Sequence, residues 1–577
     1  MARKFTILTI LFFALILRVY HLNWDENNHL HPDERFLTMV GNAMRVPNSL
    51  SSYLDTATSP MNPANVGYSF YVYGTLPVVL NKIIAVASNT DNYSAFTLLG
   101  RLLSAFADVF VAYIVFRTAE LINRSIKVGM WFPQWAALSY TLFALPIQLS
   151  HYFAVDTFLN LFAAMTVYAV LRAFYARIKP AQYIWMVIAG ASYGAALGSK
   201  VSAIYLAPLI LAFFVLLFMK WRSVYIFISL FIFAVAGYLS LRLCAPYYFQ
   251  SGNIFFISIN PDFLKNITSL KSFEGYDVWY PPAVQWMSTV PFLFALKNLV
   301  LTAMGVVPFA FFMIGALDIV YRFVSHCKKE GTIHGIQQYS VTGYGILGML
   351  LMYICVFFTY QSVQFVKAAR YFIVLYPYLA LITDIGIVWC LTELKKVQIR
   401  PKGASVVIVV LLLIWPLAFM SIYVQRNSRV QASIWIYNNL PSYSTILTEH
   451  WDDGLPLPME DTKGKTYVYE QLPVFDPDNP EKWQKMNDLL QSGDYYILTS
   501  NRGWGSIPKV PWKYPRMSVY YADLFGGRTG YKYQSSFTSP PSLRYLGIPL
   551  DFPDQWIDES MTVYDHPQVV VFKNAEK

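Results

Sequence analysis

Charge is what this chain has least of. Only 14% of its 577 residues are charged, where a soluble domain carries roughly 25%, and 56% are hydrophobic. The shortage excludes a soluble globular protein of this length and leaves a chain that passes repeatedly through lipid. Cysteine is scarce as well. Cys244, Cys327, Cys355 and Cys390 have no CxxC spacing and lie in or near apolar stretches, so neither a disulfide framework nor a thiolate metal site is indicated. Internal repeats and low-complexity tracts are missing, as are the matched Gly/Pro-broken halves of an inverted-repeat transporter. Basic residues outnumber acidic ones, 44 to 34. They cluster between apolar stretches, which reads as membrane topology and not as a face for nucleic acid.

A run of about 20 apolar residues suffices to cross a bilayer. About eleven are expected here, at 5–22, 97–122, 131–149, 155–176, 183–200, 201–219, 224–243, 297–321, 342–360, 371–392 and 404–424. The fifth and sixth are separated only by Ser199-Lys200-Val201, as a tight hairpin or one broken segment. Basic residues fall in alternate loops: Arg3 and Lys4; Arg124 and Lys127; Arg172, Arg177 and Lys179; Lys220 and Arg222; Arg322, Lys328 and Lys329; Lys395, Lys396, Arg400 and Lys402. By the positive-inside rule this places the amino terminus in the cytoplasm of a multi-pass inner-membrane protein. With an odd number of spans, the loops 23–96 and 244–296 and the tail 425–577 lie outside.

Residues 1–424 are thus expected to form a mainly α membrane domain. The tail 425–577 is expected to form a soluble α/β or α+β domain of ordinary size. It is rich in Tyr, Trp, Pro, Asp and Gly and has no membrane-length apolar run. Strands are expected near 444–449, 494–499 and 569–572, and a helix over 481–490 with Asn479-Pro480 as its start signal.

Ionisable residues at the mouth of a membrane helix are costly to keep near hydrocarbon and mark chemistry or ion handling. The first set is His31-Pro32-Asp33-Glu34-Arg35, just beyond the first span. Adjacent acids there could supply a general base, a metal ligand or both, or could be solvated loop charges. The second is His151 with Asp156 at the start of the fourth span, where Asp also suits a helix cap. The third is Lys200, a phosphate contact or a lysine snorkelling to headgroups. Arg101, Lys367, Arg370 and Tyr371 fall on the same outer face, where basic residues are disfavoured. Cations there could neutralise a phosphate leaving group while a carboxylate deprotonates an acceptor. In the tail, Trp451-Asp452-Asp453-Gly454 and Asn501-Arg502-Gly503-Trp504 mix aromatic faces with polar groups, either as a contact surface or as buried Trp with loop charges.

The order of these features resembles that of the GT-C fold glycosyltransferases: an acidic pair after span one, an Asp after span three, a Lys after span five and Arg370-Tyr371-Phe372-(x)3-Tyr376-Pro377. The nearest groups are the protein O-mannosyltransferases and the lipid A aminoarabinose transferases, and the resemblance covers roughly 1–392. It implies transfer of a sugar from a polyprenyl-phosphate donor to a lipid, glycan or protein acceptor on the extracytoplasmic face. Asp33, Glu34 and Asp156 would be the catalytic acids. Lys200 and Arg370, with Tyr371, Arg101 and Lys367, would hold the donor phosphate. Some members use a divalent ion, for which His31, Asp33, Glu34 and His151 are the candidates here. A transporter or flippase of a lipid-linked sugar is the competing reading; it would place ionisable residues near the bilayer midplane.

Overall fold

The computed structural model describes residues 2–221, 224–278 and 280–577; Arg222, one of the topological markers, lies outside them. Among the described residues eight helices are long and apolar enough to cross a membrane, from Tyr93–Ile126 to Pro401–Asn439, and Phe5–Val19 is a shorter apolar one. This is the expected multi-pass helical architecture, with differences in detail from the eleven expected spans. The stretch 131–149 is two short helices, Phe132–Thr141 and Ala144–Ser150. The stretch 297–321 begins as a π-helical turn at Leu299–Ala303, breaks at Gly305 and runs on as Val306–Glu330. Lys179–Ser199 has membrane length but is rich in Ala, Gly and Ser. Small residues serve close packing: a Cβ on Gly194 would lie 2.2 Å from the carbonyl oxygen of Gly237, in the neighbouring helix Tyr225–Cys244.

One ion pair inside the helical domain is fully buried and compensated, whereas Asp384, equally buried, has no hydrogen-bond partner among the described residues. Arg18, fully buried, donates to Asp108 at 2.5 Å, and Tyr140 donates to the other carboxylate oxygen.

Among the described residues there are five strands, all in the tail: β1 (Thr445–Glu449), β2 (Val468–Leu472), β3 (Tyr495–Leu498), β4 (Tyr531–Phe537) and β5 (Val569–Asn574). They form one mixed sheet in the order β2-β1-β3-β5-β4. β2, β1 and β3 run parallel, and β5 runs antiparallel to both its neighbours. The helix Pro480–Ser492 leads from β2 to β3, with the Asn479 side chain accepting from the Lys482 amide at 2.9 Å. β3 is buried along its whole length, so it reads as a continuous apolar run. Leu447, Tyr496, Leu498, Val570 and Phe572 pack one face of the sheet against Met486 and Met517. Ile446, Ile497, Val569 and Val571 pack the other into the core shared with the helix Ser428–Asn439 and the membrane helices.

A buried polar knot joins the two parts. Oδ2 of Asp565 accepts from Tyr152 (2.6 Å), Gln148 (3.0 Å) and Tyr423 (2.9 Å). His566 lies between Asp565 (2.5 Å) and Asp554 (2.8 Å). Burial opposes the imidazolium, but the two carboxylates outweigh it and push its pKa up to about 10.

Candidate active site

The segment His31 to Arg35 is a helix start. His31 is the N-cap of Pro32–Ala43, its Nδ1 accepting from the Glu34 amide at 3.2 Å, and Pro32 occupies the first turn where its missing N–H costs nothing. Asp33 and Glu34 therefore stand in that first turn, where the helix dipole favours negative charge. They point to different partners. Asp33 accepts from Arg370 and from Tyr73. Burial alone would raise its pKa, but Arg370, His31 and the hydrogen bonds outweigh it, holding the carboxyl well below the usual range. Glu34 is fully buried and clamped by Arg101 (2.8 and 2.5 Å), and also accepts from the Phe153 amide at 2.7 Å. Arg101 completes the cluster with Asp25 at 2.8 Å, against the ring of Trp24.

Arg370 belongs to the 3-10 segment Ala369–Leu375. The tail holds this segment: Oδ2 of Asp558 accepts from the Ala369 amide at 2.7 Å, and the Asp558 amide donates to Asn298 at 3.0 Å. Burial pushes the Asp558 carboxyl up to about 6.

Lys200 is in extended conformation between Lys179–Ser199 and the 3-10 turn Val201–Leu206, which makes the expected break a single residue. Its ammonium donates to Asp156 at 2.7 Å and does not simply reach for headgroups. Asp156 is not a cap; Ala154 occupies that position in Val155–Phe174, leaving the Asp156 carboxylate free for Lys200. The Gly74 amide bonds to the Ser199 carbonyl at 3.0 Å, and a Cβ there would lie 2.1 Å from the Gly198 oxygen. Only glycine admits so close an approach, which brings Tyr73 and the first outer loop beside Lys200.

Two acid–cation pairs, Asp33–Arg370 and Asp156–Lys200, thus meet at Tyr371. Its ring centroid lies 4.9 Å from the Lys200 ammonium and 5.8 Å from the Arg370 guanidinium. Asp156 is among the charges acting on Arg370. The structure brings together Asp33, Asp156, Lys200, Arg370 and Tyr371. It places Glu34 and Arg101 in the closed cluster instead, and Lys367 against Thr289 and the Phe365 carbonyl, both at 3.0 Å.

The four candidate metal ligands do not converge. His31 is enclosed by the rings of Tyr152 and Tyr564, at 4.4 and 4.3 Å, with burial pushing it down to about 4. His151 stacks on Tyr423 at 3.7 Å, and its ring nitrogens face the carbonyls of Ile147 and Tyr20. Among the described residues no group of three His, Cys, Asp or Glu is placed to hold an ion. These residues do not fit a metal.

Tyr73, Tyr564 and Asp558 were not singled out by the sequence, since a tyrosine in an aromatic-rich loop has no distinguishing pattern. The tail motifs turn inward: Asp452 and Asp453 pair with Arg429 at 2.8 and 3.3 Å, Asp453 with Arg35 at 3.0 Å, and Arg502 with Glu559 at 2.6 Å.

Residues 58–249 match the family model of dolichyl-phosphate-mannose-protein mannosyltransferase. The match spans part of the first outer loop, Asp156 and Lys200, and it bears out the expectation of a membrane glycosyltransferase. No curated protein matches the chain by sequence. Among solved structures it is similar to the oligosaccharyltransferase AglB from Archaeoglobus fulgidus, in complex with an inhibitory peptide and a dolichol-phosphate. Identity is 13% and the TM-score 0.49, over 98% of this chain and 78% of that one. It is also similar to ArnT from Cupriavidus metallidurans bound to undecaprenyl phosphate, with 12% identity and TM-score 0.37 over 93% and 96% of the two chains. The S. cerevisiae protein O-mannosyltransferase Pmt1-Pmt2 complex is 15% identical, with TM-score 0.31 over 49% of this chain and 36% of that one. Likenesses with TM-scores this low are too loose to assign residue roles.

Proposed function

We propose that this chain transfers a sugar from a polyprenyl-phosphate donor to an acceptor hydroxyl at the outer membrane surface, and that Asp33, Asp156, Lys200, Arg370 and Tyr371 form its reaction centre. The observation that carries this reading is the meeting of the two ion pairs at Tyr371. Each cation is held by a carboxylate that a phosphate can replace. A donor phosphate seated on Lys200 and Arg370 takes both cations from their acids. Asp33, released from Arg370, then loses much of what depresses its pKa and becomes a competent base. The acceptor oxygen attacks the anomeric carbon, the bond from that carbon to the phosphate oxygen breaks with its electron pair going to the phosphate, and the acceptor proton passes to Asp33. Lys200 and Arg370 stabilise the charge left on the phosphate.

In this reading Glu34 and Arg101 are positioning residues: their cluster fixes the helix start that presents Asp33. The tail lies on the same side as the reaction centre, holding Arg370 through Asp558. Orientation and site are tested separately. A cysteine at Gln534, exposed on β4, should react with an impermeant thiol reagent on intact spheroplasts beyond the wild-type background; labelling only after permeabilisation overturns the orientation. For the site, the test is donor use by Lys200→Ala and Arg370→Ala in proteoliposomes. Full donor use by both variants overturns the assignment.

A further inference from the structure

A cleft away from the two ion pairs lies where the chain before the helix Val306–Glu330 meets the tail. It has a volume of about 380 Å³ and is lined by Lys297, Asn501, Lys509, Trp556 and Glu559, with Ser288 and Thr289 along one wall. That volume suits a small ligand.

The charges in it are unbalanced. Glu559, the one acid on its wall, is taken by Arg502 at 2.6 Å. Lys297 and Lys509 have no carboxylate within ion-pair distance among the described residues; burial lowers the pKa of Lys509, Lys297 lowers it further, and Glu559 opposes them from beyond ion-pair distance. Glu559 is already held by Arg502, so two lysines near each other with no ion-pair contact of their own repel unless a further anion joins them. Lys367 stands behind the same wall, donating to Thr289.

Two further side chains line the cleft. Asn501 is 5% exposed; its amide nitrogen donates to the Gln555 carbonyl at 2.8 Å, which fixes the side chain's orientation, and its Oδ1 is buried without a partner. An orphaned buried acceptor calls for a donor, and a ligand hydroxyl supplies one. Trp556 keeps 46% of its surface exposed, with the Lys297 ammonium 3.9 Å from its ring centroid.

We propose that this cleft is a phosphate-binding site, taking a phosphate monoester or diester that also carries hydroxyl groups, with Lys297 and Lys509 on the phosphate, Asn501 on a hydroxyl and Trp556 against the carbon skeleton. A phosphorylated glycan and a glycerophospholipid headgroup both present that chemistry. The site shares no residue with the Asp33–Arg370 and Asp156–Lys200 pairs and stands or falls independently of their role.

The test is reductive methylation of the full-length chain in nanodiscs, read lysine by lysine by mass spectrometry. In phosphatidylcholine nanodiscs the probe is glucose 1-phosphate with glucose as the uncharged control; in phosphatidylglycerol nanodiscs no probe is added. We expect modification of both Lys297 and Lys509 to slow at least 5-fold in one arm, with Lys396, exposed beside Glu393, unchanged and glucose without effect. Slowing with glucose 1-phosphate identifies a glycan phosphate, and slowing in phosphatidylglycerol alone identifies a lipid headgroup; either supports the site. In Lys297→Gln the protection of Lys509 should be lost. Slowing in neither arm, or slowing no greater than at Lys396, overturns the proposal.

Discussion

The guanidinium of Arg370 donates to the carboxylate of Asp33 across 337 residues of sequence. The contact ties the first outer loop to the turn that begins the helix ending at Lys396, and it sets the state of the proposed base. With Arg370 in place Asp33 is a carboxylate at any physiological pH and a poor proton acceptor. In the proposed mechanism this contact holds the site at rest until a phosphate competes for the arginine.

Asp33→Asn should therefore abolish transfer while leaving donor binding largely intact. The change keeps the size and removes the proton acceptor, and loss of a general base costs about 10²–10⁴-fold in rate. Near-full turnover of this variant with the true acceptor would move the base to Asp156. Arg370→Lys adds a second readout. A weaker partner lets the Asp33 pKa rise, so the acid limb of the pH–rate profile should move to higher pH; an unmoved limb would detach Asp33 from it.

Lys200→Ala and Arg370→Ala should each weaken donor use by about 10–100-fold, since a charge-assisted contact contributes roughly 1.5–3 kcal/mol. Lys396→Ala, whose ammonium pairs with exposed Glu393, serves as the comparison. Equal effects of Lys200 and Lys396 in a donor titration would reduce Lys200 to a surface charge.

Much of this was legible in the sequence. Hydropathy gave the multi-pass helical domain, and Pro32 and Asn479-Pro480 marked helix starts that the structure contains. β1, β3 and β5 lie where apolar runs placed them. Asp156 and Lys200 stand 44 residues apart and Asp33 and Arg370 far more, so their pairing belongs to tertiary packing and leaves no local pattern. The separation of Asp33 from its neighbour Glu34 was equally hidden. Adjacent residues on a helix point about 100° apart, and only the position of Arg101 decides which one is sequestered. β2 was missed because Val468-Tyr-Glu-Gln-Leu472 is an edge strand exposed over four of its five residues.

His566→Ala should loosen the tail from the membrane domain. It removes the cation between Asp554 and Asp565 and leaves two buried carboxylates unpaired, a change that costs about 3–5 kcal/mol. The pH dependence follows from the raised pKa of about 10. A cation favoured by folding contributes fully below the ordinary histidine pKa, and the contribution is lost as pH rises through the folded value. The Tm of the wild-type chain should fall between pH 7 and pH 10, and the variant, already lower, should lack that part of the slope. Parallel curves would show that His566 is neutral in the folded chain.

Glu449 makes the opposite kind of test, because here burial is uncompensated by any cation. Its Oε1 accepts from Tyr496 and Tyr521, both at 2.6 Å, and burial, the largest effect, pushes the carboxyl up to about 7. An acid whose folded pKa lies above its unfolded value of 4.5 gives stability that is complete below 4.5 and lost as pH rises toward 7. The shift corresponds to about 3 kcal/mol. Glu449→Gln keeps the acceptor for both tyrosines and cannot ionise. The variant should match the wild type in Tm near pH 4.5 and exceed it at pH 7.5, measured on the full chain in detergent. A variant that is less stable than the wild type at pH 7.5 would mean that the charged carboxylate is favoured where it stands, and that a cation reaches it.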